Sequence, residues 1–348
     1  MRSYVFPGDI EKRISAIGSQ PIPYMRTDEF SRINKDSERI LLKLIHCKNG
    51  RAILYTGSGT GAMSATVENY VSTKKKALVI DGGSFGHRWY EMCRYYGIPV
   101  FNYLVPFAQD IDYNDLEKTL SREKPDVFLC QHHETSTGQL FNLEKISAIC
   151  RRHKISLVVD AISSFLAEEL DMDALEIDIC IVSSQKGLNI PPGLSVVFLR
   201  KNLNGHPWGR KGYYWDFEDN LRNLSRGQTP FSPATTLFLQ LHARLEQLEA
   251  EGGEVKNIAR VHHRAGIFRR LCREYGWEIP AEVPSFAITG FQTKEKTPGK
   301  VFRSLIEKHQ TFIMPGDRPG FYRVSHMGLQ TEEDLRELAG RIHEFETE

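Results

Sequence analysis

The residues best suited to chemistry stand where two apolar segments of the chain end. Residues 177–182 form an apolar run that continues through Ser183, Ser184 and Gln185 to Lys186. Such a run is typical of a buried strand, and a lysine at its end must pair with an anion or lose its proton. A lysine of lowered pKa can form a Schiff base with an aldehyde. Because a lone lysine more often points into solvent, the interpretation depends on a partner.

Asp160 can be that partner. It ends a second apolar run, residues 155–159, and the stretch from Asp160 to Lys186 is long enough for a loop and another strand. Neighbouring strands would bring both side chains to one edge of a sheet. Pyridoxal phosphate (PLP) needs this combination, because its aldehyde reacts with a lysine and a carboxylate keeps its pyridine nitrogen protonated, which makes the ring an electron sink. Asp160 alone would also suit a helix cap or a metal ligand; with Lys186 it predicts a PLP site.

A glycine-rich segment supplies the phosphate site that PLP requires. Residues 57–61, Gly-Ser-Gly-Thr-Gly, connect a predicted strand to a predicted helix. Free backbone N–H groups and the positive end of the helix attract phosphate there, and Ser58 and Thr60 add hydroxyl donors. No Gly-Lys-Ser/Thr follows, and Ala62 replaces the third glycine of the dinucleotide fingerprint, so neither nucleotide-binding loop is indicated.

A polar cluster, residues 131–138, follows another predicted strand. Strand ends of open α/β sheets commonly carry ligands, and Thr135 could hydrogen-bond the ring hydroxyl of the cofactor. The string His132-His133-Glu134 also suggests a metal site. Adjacent histidines point in different directions, however, and no further convergent His, Cys or Asp set is evident. We therefore expect no metal, and structural roles for His133 and Glu134.

Composition and charge argue against several other classes of function. The 348 residues carry a formal net charge of +1, which leaves no electrostatic footprint for nucleic acid or an anionic membrane. The six cysteines form no CxxC pair, and we expect reduced thiols in a cytoplasmic protein. No signal-peptide-like segment opens the chain, and no apolar run has the length of a membrane span.

The order of predicted elements indicates an α/β protein. Besides the two runs described above, we predict apolar strands over 51–56, 77–81, 126–131 and 194–199. Because such strands alternate with helices, they predict a mostly parallel sheet covered by helices on both faces. After residue 200 we expect a long loop over 203–231, helices over 234–251 and 256–275, and then a small α+β part. Its predicted elements are a strand over 286–288, a helix over 301–308, a strand over 322–325 and a helix from 332. We divide the chain into a large PLP-binding domain, 1–250, whose N-terminal segment lies near the active site, and a small C-terminal domain, 251–348.

Seven motifs in sequence order resemble the class V aminotransferases of PLP fold type I. The motifs are residues 57–60, 83–88, 133–138, 160–164, 183–187, 228–230 and 322–328, and the resemblance extends over most of the chain, from about residue 50 to 330. The branch that they resemble most contains the alanine–glyoxylate, serine–glyoxylate and 2-aminoethylphosphonate–pyruvate aminotransferases. The resemblance implies PLP as cofactor, a small-molecule amino donor and an oxo-acid acceptor.

The resemblance also implies individual roles. Lys186 would form the Schiff base and move the proton of the 1,3-shift, Asp160 would pair with the ring nitrogen, Phe85 would stack on the ring and Thr135 would contact its substituents. Ser58, Gly59, Thr60 and Gln185 would hold the phosphate. Thr229 would reach the phosphate of a second subunit, which implies a homodimer with shared active sites. Arg323 would bind the substrate carboxylate, a role that suits the guanidinium fork.

Two departures from the family pattern concern specificity. Phe6-Pro7-Gly8-Asp9 stands where the family usually has Thr-Pro-Gly-Pro at the substrate pocket, and no tyrosine stands in residues 225–228, before Thr229. We expect an aminotransferase, with 2-aminoethylphosphonate–pyruvate slightly favoured over alanine– or serine–glyoxylate. A PLP-dependent lyase such as a cysteine desulfurase is the alternative enzyme, and its cysteine would have to be Cys272, in a predicted helix. A PLP-fold protein without catalysis and an α/β protein with a nucleotide ligand are the remaining alternatives.

Overall fold

The computed structural model describes residues 2–209 and 212–347; Met1, Arg210, Lys211 and Glu348 lie outside the described residues. Two of these, Arg210 and Lys211, belong to the predicted loop over 203–231. The described strands are β1 Arg2–Ser3, β2 Arg51–Thr56, β3 Ala77–Asp81, β4 Val100–Leu104, β5 Val127–Gln131, β6 His133–Glu134, β7 Gln139–Leu140, β8 Ser156–Asp160, β9 Ile179–Ser183, β10 Leu194–Leu199, β11 Ile288–Gln292, β12 Thr311–Phe312, β13 Met314–Pro315 and β14 Phe321–Ser325.

Helices connect most of these strands. The described α-helices are α1 Lys12–Ala16, α2 Asp28–Leu44, α3 Gly59–Asn69, α4 Ser84–Tyr95, α5 Tyr113–Glu123, α6 Leu143–His153, α7 Phe217–Leu224, α8 Thr235–Ala250, α9 Gly253–Tyr275, α10 Lys300–His309 and α11 Glu332–Thr347. Short 3-10 helices cover Ile17–Ser19, Val71–Thr73 and Lys201–Leu203. Several starts are capped as the residue types predict: the hydroxyl of Thr27 accepts from the amide of Phe30 at 3.2 Å, and Asn142 Oδ1 accepts from the amide of Lys145 at 2.9 Å.

A seven-stranded sheet carries the site. Its strand order is β2-β10-β9-β8-β5-β3-β4, and β10 alone runs antiparallel to its neighbours. Side chains alternate between the two faces, so that Ala52 and Leu54 of β2 enter one core while Ile53 and Tyr55 enter the other. Residues of α2, α6 and α8 complete the first core, and residues of α3, α4 and α7 complete the second. The mostly parallel sheet with helices on both faces agrees with the sequence-based expectation.

The C-terminal part forms a separate small sheet of order β11-β14-β13, with antiparallel pairing. Its core joins residues of α9, α10 and α11. The start of the chain also belongs to this core, because β1 pairs in parallel with β12 and Tyr4 is buried there. The domain division at residue 250 stays a prediction, and α9 begins at Gly253. In the described part of the chain, no helix combines the length and apolar character that crossing a bilayer would need.

Three sequence-based assignments need correction. The predicted loop over 203–231 contains α7, which is capped by Asp216 and carries Glu218 and Asp219 in its first turn. The strand predicted over 286–288 is β11, which begins two residues later and continues to Gln292. The prediction stopped at Ile288 because Gly290 interrupts the apolar pattern. The edge strand β4 and helix α5 were not predicted; β4 is only half-buried and lacks a continuous apolar run.

Candidate active site

Asp160 and Lys186 lie at the same edge of the central sheet. Asp160 ends β8, Lys186 follows β9 after a short turn, and the two strands pair in parallel with Asp160 opposite Ile181. Both side chains are buried. Burial lowers the pKa of Lys186 to about 7, against the opposite effect of the Asp160 charge. An amine that is partly neutral near pH 7 can act as a nucleophile or a base.

The carboxyl group of Asp160 is held by the turn that follows it. The amide of Ile162 donates to its Oδ1 at 2.8 Å. Burial nevertheless raises the pKa of Asp160 to about 7, and the nearby charge of Glu134 acts in the same direction. A cation bound beside this carboxyl would stabilise its ionised form. Lys186 and Asp160 therefore form a buried pair whose charges depend on what binds between them.

The glycine-rich segment forms the N-terminus of α3, close to this pair. Ser58 is the N-cap residue, and its hydroxyl accepts from the amide of Gly61 at 3.4 Å. Gly59 permits close packing onto the ends of β8 and β9: a Cβ there would lie 2.4 Å from Ile162 Cδ1 and 3.3 Å from Ser183 Cβ. The first amides of α3 thus stand near the segments that carry Asp160 and Lys186, where an anion would meet the positive end of the helix.

Arg88 connects several of these residues, and sequence reasoning did not assign it a role. Its Nη1 donates to Thr60 Oγ1 at 2.8 Å, and its guanidinium lies 5.0 Å from the centre of the Phe85 ring. Its charge also acts to lower the pKa of Asp160. Phe85 and Arg88 are three residues apart on α4 and so share a helix face, which is the sequence signal that could have identified Arg88.

Glu134 fixes the polar cluster after β5 to the start of α4. Its carboxylate accepts from the amides of Phe85 at 3.4 Å and Gly86 at 3.0 Å, and from the side chain of Gln131 at 2.9 Å. It also accepts from the amide of Ser136 at 3.1 Å. Burial raises the pKa of Glu134. This carboxylate therefore determines where Phe85 stands relative to the cluster.

Thr135 is joined to the segment that follows Asp160. Its hydroxyl donates to Ser163 Oγ at 2.8 Å, and Ser163 Oγ lies 2.9 Å from His133 Nδ1. Burial lowers the pKa of His133 to about 3, so its ring is neutral near pH 7. Among the residues that the structure describes, no group of three or more His, Cys, Asp and Glu side chains is arranged to hold a metal ion.

Arg323 brings the small C-terminal sheet to the site. It lies on β14, donates from Nη1 to the carbonyl of Thr135 at 2.9 Å and from Nη2 to the carbonyl of Pro315 at 2.7 Å. Its Nε is buried without a hydrogen-bond partner in the described residues. Burial lowers the pKa of Arg323, and its charge in turn lowers the pKa of Lys186. A free donor on a desolvated cation can receive an anionic ligand.

Gln185 and Thr229 differ in their surroundings. Gln185 accepts from Ser183 Oγ at 2.6 Å, next to Lys186. Thr229 lies on the loop between α7 and α8, where its hydroxyl donates to the carbonyl of Phe231 at 2.7 Å and its own carbonyl accepts from Arg26 at 2.6 Å. The hydrogen bonds described for Thr229 thus reach none of the other predicted site residues of its own chain.

Known proteins resemble this chain over most of its length. The family model described as aminotransferase class-V matches residues 24–235. A soluble hydrogenase small subunit of Synechococcus sp. is 29% identical over 343 residues, with 93% of this chain and 87% of the relative covered. The L-aspartate–glyoxylate aminotransferase of Paracoccus denitrificans is 28% identical over 342 residues, with 94% and 86% covered. An aspartate aminotransferase of subgroup IV from Thermus thermophilus has a similar solved structure, with a TM-score of 0.91 at 24% identity and coverage of 99% and 98%.

Proposed function

Because the chain belongs to the class V aminotransferases, we propose that it moves an amino group from a small amino acid to a 2-oxo acid, with glyoxylate as the preferred acceptor. Family membership implies PLP and confirms the aminotransferase class and the PLP fold type I predicted from the sequence. The 2-aminoethylphosphonate–pyruvate specificity is not confirmed, and the name of the Paracoccus relative favours glyoxylate. The buried pair of Lys186 and Asp160 suits transamination, a reaction that the name of the Synechococcus relative does not describe.

The residues of this site fit PLP. The observation that carries the proposal is the buried amine of Lys186, with a pKa of about 7, beside the buried carboxyl of Asp160. The start of α3 offers backbone donors, and Ser58 and Thr60 offer hydroxyls, for a phosphate group. When bound, PLP supplies an aldehyde and an electron-withdrawing ring.

Each residue then has a defined task. Lys186 would hold the cofactor, and its amine, partly neutral near pH 7, would move a proton to and from the reacting carbon of the substrate. Asp160 would keep the ring nitrogen protonated, and a cation there would stabilise its carboxylate. Phe85 would cover the ring, Thr135 would contact its substituents, and Gln185 would assist Ser58, Gly59 and Thr60 at the phosphate. Arg323 binds the substrate carboxylate with its free Nε.

We also propose a homodimer in which Thr229 completes the phosphate site of the neighbouring subunit. The support is the position of Thr229 on the loop between α7 and α8, where its described hydrogen bonds go to Phe231 and Arg26. A residue on such a loop is free to serve a second chain. Two small-molecule substrates, an amino donor and an oxo acid, complete the expected partners.

Borohydride fixation and half-reactions test the proposal. PLP-loaded protein should absorb visible light through the lysine-bound cofactor, and borohydride followed by peptide mapping should find the adduct on Lys186. Lys74 is the matched control, because burial lowers its pKa as well but it lies before β3, away from Asp160. Single amino donors should then convert the spectrum to that of the pyridoxamine form, and glyoxylate should reverse the change faster than pyruvate.

The results can also contradict the proposal. An adduct on Lys74 or on no lysine rejects the cofactor assignment. A Lys186→Ala variant that keeps most of its turnover rejects the proton-transfer role. A faster reaction with pyruvate and 2-aminoethylphosphonate than with glyoxylate and any amino acid rejects the proposed specificity while leaving the enzyme class intact.

A further inference from the structure

The aromatic ring of Phe6 covers the reactive lysine. The Nζ atom of Lys186 lies 3.2 Å from the centre of the Phe6 ring, a cation–π distance. The ring is only half-buried, and it packs against an apolar cluster that includes Ala167, Ala287 and Met327. One side chain from the start of the chain thus forms part of the surface around the amine that the proposed function makes reactive.

Hydrogen bonds hold Phe6 in this position from both sides. The amide of Ser325 donates to the carbonyl of Tyr4 at 2.9 Å. The side chain of Asn189 donates to the carbonyls of Pro7 at 2.8 Å and Asp9 at 3.2 Å. The main chain on both sides of Phe6 is therefore anchored, so that only a rotation of its own side chain can move the ring away from Lys186.

The two anchors of this segment lie on the turn that carries Lys186 and on the strand that carries Arg323. The amide of Asn189 donates to the carbonyl of Lys186 at 2.9 Å, so the lysine turn carries one anchor. Ser325 follows Arg323 by two residues on β14, so the strand of the proposed carboxylate anchor carries the other. A substrate that reaches from Lys186 to Arg323 must therefore fit beside residues 4–9, the segment that is anchored at both of these places.

We propose that Phe6 forms the wall of the substrate pocket beside Lys186 and restricts substrates to short side chains without negative charge. This inference rests on the proposed function and deepens it. A longer side chain meets a ring whose main chain is anchored before and after it, and an anionic side chain meets the negative face of its π system. Small neutral amino acids such as alanine, glycine and serine fit, whereas aspartate and 2-aminoethylphosphonate do not.

Carboxylates that cannot react test the proposed pocket wall by binding alone, without turnover. PLP-loaded wild-type protein, Phe6→Ala and Phe6→Leu are titrated with acetate, propionate, valerate and succinate, and binding is followed by the shift in cofactor absorption. Phe286→Ala is the matched control, because Phe286 packs against the same apolar cluster and stacks on His262 with ring centres 3.8 Å apart. Alanine, norvaline and aspartate half-reactions complete the comparison.

Wild-type protein should bind propionate better than valerate or succinate. In Phe6→Ala the ratio of valerate to propionate affinity should rise about tenfold, the value expected for two methylene groups that become accommodated, and Phe6→Leu should shift it less in the same direction. An unchanged ratio in both Phe6 variants with intact cofactor absorption, or an equal change in Phe286→Ala, overturns the inference and leaves the proposed function standing. Wild-type protein without lysine-bound cofactor overturns the proposed function first, and this inference with it.

Discussion

Replacement of Arg323 separates substrate recognition from cofactor chemistry. In the structure its two terminal nitrogens donate to the carbonyls of Thr135 and Pro315, and its Nε has no hydrogen-bond partner among the described residues. Burial disfavours the charged guanidinium, as the lowered pKa shows. A substrate carboxylate would supply the missing negative charge, and Arg323→Ala removes this interaction completely.

The magnitude follows from the kind of interaction that the substitution removes. A hydrogen bond between charged groups contributes about 1.5–3 kcal/mol, and truncation of one partner of a buried charged pair costs about 2–5 kcal/mol. We expect Arg323→Ala to slow the reaction of the pyridoxamine form with glyoxylate by roughly thirtyfold to a thousandfold, at about 1.4 kcal/mol per tenfold. Arg323→Lys should recover only part of this rate, because it keeps the charge without the fork.

Single-turnover kinetics with glyoxylate and with pyruvate measure the effect. Arg303→Ala is the control, since Arg303 also donates to a proline carbonyl, that of Pro298 at 3.2 Å, but on the exposed helix α10. Thermal unfolding separates the structural effect of removing the hydrogen bonds to Thr135 and Pro315 from the effect on substrate binding. If neither oxo acid reacts more slowly with a folded Arg323→Ala than with Arg303→Ala, Arg323 does not bind the substrate carboxylate.

Three further predictions concern the cofactor site. Asp160→Asn should fold, because an amide oxygen can still accept from Ile162, but its turnover should fall roughly a hundredfold or more; near-wild-type turnover excludes the ring-nitrogen role. Arg88→Met should weaken PLP binding about tenfold, since Thr60 is deprived of a charged donor, and an unchanged affinity in fluorescence titration refutes this. In cofactor-free protein, Asp160 has a raised pKa, so the folding free energy that it contributes is lost as pH rises from 3.8 to about 7. Lys186 has a lowered pKa, so its contribution is lost as pH falls from 10.5 to about 7. Relative to a Lys186→Met, Asp160→Asn double variant, wild-type melting temperature should therefore be lowest near pH 7, and a relative maximum there contradicts the reasoning.

The sequence predicts the central sheet well because its strands are apolar and sharply bounded. The predicted limits of β2, β3 and β10 agree with the structure to the residue. A glycine stands directly beside each of these runs: Gly50 and Gly57 beside β2, Gly82 beside β3 and Gly193 beside β10. Glycine is typical of strand boundaries. Helix α7 was missed because its eight residues lie among Gly, Pro, Trp and Tyr, and its signal is only the Asp216 cap and an acidic first turn.

The site was predictable only in part, because local patterns identify strand ends but not the contacts between distant segments. Asp160 and Lys186 stand out since each follows an apolar run. Arg88 and Glu134 do not, because their partners, Thr60 and the first amides of α4, meet them only after the chain has folded. The family resemblance placed Phe6 at the substrate pocket, but its contact with Lys186 also exists only in the folded chain. A charged residue on a helix face is usually a solvated one, so the three-residue spacing from Phe85 is the one local signal that points to Arg88.

The hydrogen bonds of Arg323 offer a physical link between the proposed recognition of the substrate carboxylate and the proposed chemistry at Lys186. One of them reaches Thr135, whose hydroxyl is joined through Ser163 to the segment that follows Asp160. The same strand, β14, anchors the segment that carries Phe6 over Lys186. If β14 moved, Arg323 and the main chain before Phe6 would move with it, because β14 carries Arg323 and the amide of Ser325 donates to the carbonyl of Tyr4. Burial keeps the amine of Lys186 partly neutral, and the charge of Arg323 lowers the pKa of Lys186 further, so that one strand contributes both to the proposed recognition of the carboxylate and to the charge state of the lysine.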